Sequence, residues 1–141
     1  MPPIGMMGAS RGIGSSVVDV LVVDDQQPFR DAARMVLTLS AGFRLIGEAE
    51  TGLQSVELAA TLHPDLVLMD VNLPDINGFE ATRRIREATP RPPIVVMLST
   101  YEAVDYGERA IDAGAASFLS KSAFTPEELQ RVWEQANAQI G

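Results

Sequence analysis

Five short apolar runs alternate with helix-patterned segments, and this alternation predicts an α/β fold: a doubly wound parallel sheet of five strands with five helices. Three observations carry the prediction. The runs Val18–Val23, Phe43–Glu48, Asp65–Met69, Ile94–Leu98 and Ser117–Leu119 have strand length. Several are nearly continuous in Val, Leu and Ile, as strands covered on both faces are. The segments between them are long enough for right-handed crossover helices.

The helix signals fall between the strands in order. Pro28 suits the first turn of the first helix, Gly52 precedes the second, and Asn77-Gly78 opens the third. The fourth follows Tyr101 and ends near Gly114. The fifth has the clearest start: Thr125 as N-cap, Pro126 at the first helical position and Glu128 three residues after the cap, a capping box. Leu129, Val132, Trp133, Ala136 and Ile140 then follow helical spacing, so one face packs on the sheet. Residues 1–17, rich in Gly, Pro, Met and Ser, read as a flexible N-terminal extension, and residues 18–141 as the domain.

Composition narrows the function. The 141 residues suit one domain, and a hydrophobic content of 46% can fill its core. A formal net charge of −8 disfavours direct binding to nucleic acid or anionic membrane. With no cysteine, disulfides and thiolate chemistry are excluded. A cytoplasmic location fits, and no apolar run approaches the ~20 residues of a membrane span. His63, the only histidine, stands before Pro64 at a helix end and reads as a surface residue, so histidine-ligated metal sites have no support.

The chemistry gathers at one edge of the sheet. Asp24 and Asp25 follow the first strand, Asp70 ends the third, Ser99 ends the fourth and Lys121 lies just past the fifth. In the flavodoxin-like strand order 2-1-3-4-5 these four strands are neighbours, and ligands bind beyond their carboxyl ends. Three crowded carboxylates repel one another unless a hard cation sits among them. Mg²⁺ takes oxygen ligands from one or two carboxylates and a phosphate. Lys121 supplies a positive charge and Ser99 a hydroxyl for phosphoryl oxygens. Such a site suits formation of an aspartyl phosphate. Taken singly, each residue also fits a plain role as a turn, cap or solvated surface group. It is their coincidence at one edge that points to function.

The segments Val20–Asp25, His63–Asp70, Val71–Gly78, Ile94–Ser99 and Ala113–Lys121 resemble the receiver domains of response regulators, the CheY-like family. The resemblance runs from about Val18 to the C-terminus. It implies a two-component signalling protein whose Asp70 accepts a phosphoryl group from a sensor histidine kinase. It implies Mg²⁺ held by Asp25, Asp70 and the backbone carbonyl of Asn72, with Asp24 acting through water. Ser99 matches the switch hydroxyl and Phe118 the switch aromatic. Phe118 also reads simply as a part-buried strand residue. The output surface, open to homodimer formation, would be the fourth helix, fifth strand and fifth helix. The chain would be a phosphoacceptor that assists only its own phosphorylation and dephosphorylation. Ser99-Thr100-Tyr101 and the run from Asp112 to Ala115 most resemble receivers of LuxR-type transcription factors. Those carry a DNA-binding domain, so this sequence reads either as a stand-alone receiver or as part of a longer regulator. Two departures stand out: Ser122 follows Lys121 where many members have proline, and Thr100 follows Ser99 where Ala or Gly is common.

Three other readings compete. Gly8–Gly14 resembles the nucleotide loop of short-chain dehydrogenases, but no strand pattern precedes it and strand-like sequence follows. A Mg²⁺-dependent phosphohydrolase would need a second aspartate after Asp70, where Asn72 stands. A degenerate receiver acting only as an interaction module would not need the full acidic set and Lys121.

Overall fold

A computed structural model describes residues 17–100 and 107–140. The strands are β1 (Val18–Val23), β2 (Phe43–Ala49), β3 (Leu66–Asp70), β4 (Ile94–Ser99) and β5 (Ser117–Ser120). The helices are α1 (Gln27–Thr38), α2 (Gly52–Leu62), α3 (Gly78–Ala88), α4 (Gly107–Ala113) and α5 (Pro126–Ile140), with a short 3₁₀ turn at Lys121–Ala123. The strands form one parallel sheet in the order β2-β1-β3-β4-β5, the expected doubly wound arrangement. Residues 1–16, with the glycine-rich motif, and Tyr101 at the expected start of α4 lie outside the described residues.

The strand pleat sorts alternate residues into two cores. Val20, Val22, Leu66, Leu68, Val96 and Leu98 join Ala33 and Leu37 of α1 and Leu129, Val132 and Ala136 of α5. On the other face Leu21, Val23, Val67, Met69, Val95 and Met97 meet Ala59 of α2, Phe79 and Ile85 of α3 and Ala110 of α4. The central strands β3 and β4 are buried at every residue, whereas edge strand β2 is only partly covered. That difference explains why their sequences are almost uniformly apolar and that of β2 is mixed. Each buried Leu or Val contributes roughly 1.5–3 kcal/mol of transfer free energy.

Helix starts follow local chemistry with small shifts from the expected pattern. Thr51, not Gly52, caps α2, its side chain accepting the Gln54 N–H at 3.0 Å. Asn77 caps α3 by accepting the Glu80 N–H at 2.9 Å. Thr125 accepts the Glu128 N–H at 3.1 Å. The Glu128 carboxylate does not reach back to the Thr125 N–H and instead accepts two bonds from Arg131 at Oε1. Trp133 meets Phe43 edge-on, which fastens α5 to β2's first residue. The Ile140 side chain lies outside the described set.

Candidate functional site

The site lies at the carboxyl edge of β1, β3, β4 and β5. Asp70 is the last residue of β3 and Ser99 the last of β4. Asp24 and Asp25 follow β1 directly, and Lys121 opens the turn after β5. One carboxylate oxygen each from Asp24, Asp25 and Asp70 lie within 4.8 Å of one another. Asp24, Asp70 and Ser99 are buried, while Asp25 is exposed to solvent. The four strand ends named by the sequence therefore do converge.

Lys121 offsets part of this negative charge. Its Nζ lies 2.5 Å from Asp24 Oδ2 and 3.5 Å from Asp70 Oδ1. The Asp24 contact lacks hydrogen-bond geometry, so Oδ2 is buried without a hydrogen-bond partner. The other oxygen, Oδ1, accepts the Gln26 N–H at 2.8 Å and closes the loop into α1. Three carboxylates brought this close together supply the oxygen donors that a hard divalent cation takes.

Burial pushes the Asp70 carboxyl up from 3.8 to about 6. The charge of Asp24 adds to this effect, Lys121 and the Asn72 N–H oppose it, and Asp25 raises it a little further. Without a cation, the site thus resists holding all three carboxylates ionised.

Strand register places Ser99 and Phe118, the two residues expected to act as a switch. Ser99 stands opposite Ser120, and Phe118 opposite Met97 two residues earlier. By strand alternation Ser99 and Phe118 share the sheet face covered by α3 and α4. Ser99 is fully buried, and the half-buried Phe118 packs on the core of that face.

One of the two departures from the family pattern has a visible local consequence. Ser122 has a backbone N–H, which proline would lack, and donates it to Ser120 Oγ at 3.3 Å. Thr100 points to an exposed position.

Four residues support the site in ways the sequence reading did not give, Gly78 standing there only as part of the Asn77-Gly78 helix start. Gly78 is one: a Cβ there would lie 2.2 Å from the Asp70 carbonyl oxygen, so only glycine lets α3 start this close to the end of β3. Asp75 accepts the Gly52 and Leu53 N–H groups at 2.8 and 3.0 Å, tying the loop after Asp70 to the start of α2. The Phe29 ring lies 4.6 Å from Lys121 Nζ, in reach of a cation–π contact. Arg30 is a charged residue on the buried stripe of α1 with Ala33 and Leu37. A charge at that helical spacing was the available signal, since a buried guanidinium must have partners.

Comparison with known proteins agrees with this geometry. Residues 20–134 match the response regulator receiver domain. The response regulator GacA of Pseudomonas aeruginosa is 36% identical over 116 residues, covering 82% of this chain and 54% of GacA. The signal receiver domain of the response regulator NarL of Mycobacterium tuberculosis superposes with a TM-score of 0.79 at 30% identity, over 86% of this chain and 98% of that one. A LuxR-family two-component response regulator of Aurantimonas sp. SI85-9A1 gives 0.79 at 27% identity, over 88% of this chain and 87% of that one. The chain spans about half the length of the curated regulators it matches. Among the described residues no helix is long and apolar enough to cross a membrane. The chain belongs to the response regulator receiver domain family of two-component systems, with relatives of the LuxR type among those it resembles.

Proposed function

We propose that Asp70 accepts a phosphoryl group from a sensor histidine kinase and that the change is read on the face formed by α4, β5 and α5. The observation that carries this reading is the cluster of three carboxylates within 4.8 Å of one another, with Lys121 reaching two of them. An ionised Asp70 oxygen attacks phosphorus, the bond from phosphorus to the donor's nitrogen breaks, and the leaving imidazole recovers a proton. Asp25, Asp70 and the Asn72 carbonyl would hold Mg²⁺, with Asp24 acting through water. Bound there, the ion would neutralise the crowded carboxylates and the incoming phosphoryl oxygens. Lys121 pairs with one phosphoryl oxygen and Ser99 donates a hydrogen bond to another.

The reaction is the domain's own phosphorylation and dephosphorylation, without turnover of a separate substrate. A cytoplasmic kinase partner, a homodimer through the α4-β5-α5 face and regulation of transcription through a separate DNA-binding domain complete the reading. The domain proper is residues 18–141, and removing Met1–Ser16 should leave phosphorylation intact. Intact mass after incubation with acetyl phosphate and Mg²⁺ tests the central claim. A phosphate adduct on the wild type that is absent from Asp70→Asn supports it. No adduct on the wild type would favour the alternative, a degenerate receiver that works as an interaction module.

A further inference from the structure

We propose that Arg30 is a positioning residue that fixes the acidic loop for a divalent cation; this rests on the metal-binding reading above. Arg30 is 6% exposed. Its guanidinium donates to the Asp24 carbonyl at 2.7 Å, to Gln27 Oε1 at 2.6 Å and, through Nε, to Glu48 Oε1 at 3.2 Å. Glu50 Oε2 lies 3.7 Å away. One side chain thus joins the loop after β1, the first turn of α1 and the edge strand β2.

The bond to the Asp24 carbonyl is the informative one. That carbonyl and the Asp25 nitrogen belong to a single planar peptide. Rotation of this plane would swing Asp25, the exposed carboxylate of the cluster. The plane is held by Arg30, and the residue leading into it by the Asp24 N–H donating to Ala49 at 3.0 Å. Groups behind the ligands that orient them in this way commonly set metal affinity.

Charge and geometry predict opposite signs. A positive charge beside a cation site weakens cation binding, so if charge alone mattered, removing Arg30 would tighten it. Glu48 and Glu50 offset that charge, which leaves orientation as the dominant effect. Lysine retains the charge but cannot reproduce the fork.

The test is Mg²⁺ titration followed by backbone amide NMR shifts, on wild type, Arg30→Lys, Arg30→Met, Arg34→Met and Asp25→Asn. Both Arg30 variants should bind about tenfold more weakly. Arg34 bonds the same Glu48 from an exposed position and does not touch the loop, so Arg34→Met should stay within about twofold of wild type. At saturating Mg²⁺ the acetyl phosphate reaction of the Arg30 variants should return to within about twofold of wild type, a recovery that a general loss of folding would not show. Should Arg30→Met fail to fold, Arg30→Lys decides. Wild-type or tighter Mg²⁺ affinity in a folded Arg30 variant overturns the assignment, while loss of binding in Asp25→Asn leaves the metal reading intact. No saturable response in the wild type would overturn the metal reading and this proposal with it.

Discussion

Lys121 leans on Asp24 rather than on the proposed acceptor Asp70, at 2.5 Å against 3.5 Å. Asp24 is the more deeply buried of the two carboxylates, so the ammonium sits where an unpaired charge would cost most. Lys121→Met should therefore lower the stability of the Mg²⁺-free protein by about 3 kcal/mol, the usual cost of breaking a buried pair from one side. Mg²⁺ should recover part of that loss. Urea denaturation with and without the ion measures both effects. A loss below about 1 kcal/mol would mean that the pair behaves as a surface contact.

Asp70 should make stability depend on pH. Its folded value, about 6, lies above the ordinary 3.8, so the folded state holds this proton more tightly than the unfolded chain. The group therefore imposes no penalty below about pH 3.8, and a growing one as pH rises through 6. Without Mg²⁺, Asp70→Asn should be more stable than wild type at pH 7.5 by up to about 3 kcal/mol. That advantage should fade towards pH 4. Thermal melts of both proteins across this range provide the check, and a difference that does not vary with pH contradicts the assignment.

Gly78→Ala should damage the site without touching any charged group. The added Cβ would meet the backbone of Asp70, which cannot swing aside as a side chain can. Either α3 moves away or the end of β3 shifts. We expect a stability loss of about 1–3 kcal/mol and slower phosphorylation from acetyl phosphate in the fraction that remains folded. Wild-type kinetics at wild-type stability would show that α3 adjusts freely.

Ser99→Ala should separate phosphorylation from its readout. Ser99 and Phe118 share a sheet face on adjacent strands, so a shift of the hydroxyl toward a phosphoryl oxygen changes the space available to the ring. The Ala variant should still accept phosphate on Asp70 but respond weakly at the α4-β5-α5 face. Amide shifts of residues 101–120 with and without beryllofluoride report this. Shifts matching wild type would remove Ser99 from the coupling.

The order of strands and helices was legible because burial leaves a period in the sequence. Strands β3 and β4, covered on both faces, are written as unbroken apolar runs, and Asn77 and Thr125 announce the starts of α3 and α5 with side chains that must satisfy free N–H groups. Asp24, Asp25, Asp70, Ser99 and Lys121 stood out for the same reason: each interrupts or follows an apolar run at the same end of a strand. The partners of these residues were not legible. That Lys121 pairs first with Asp24 and lies against Phe29, that Arg30 reaches the Asp24 carbonyl and Glu48, and that Gly78 abuts Asp70 are contacts between segments brought together only by packing. Periodicity records which side of an element is buried, and it does so locally. Which atoms meet across the buried side depends on strand register and helix placement, and only the folded sheet determines those.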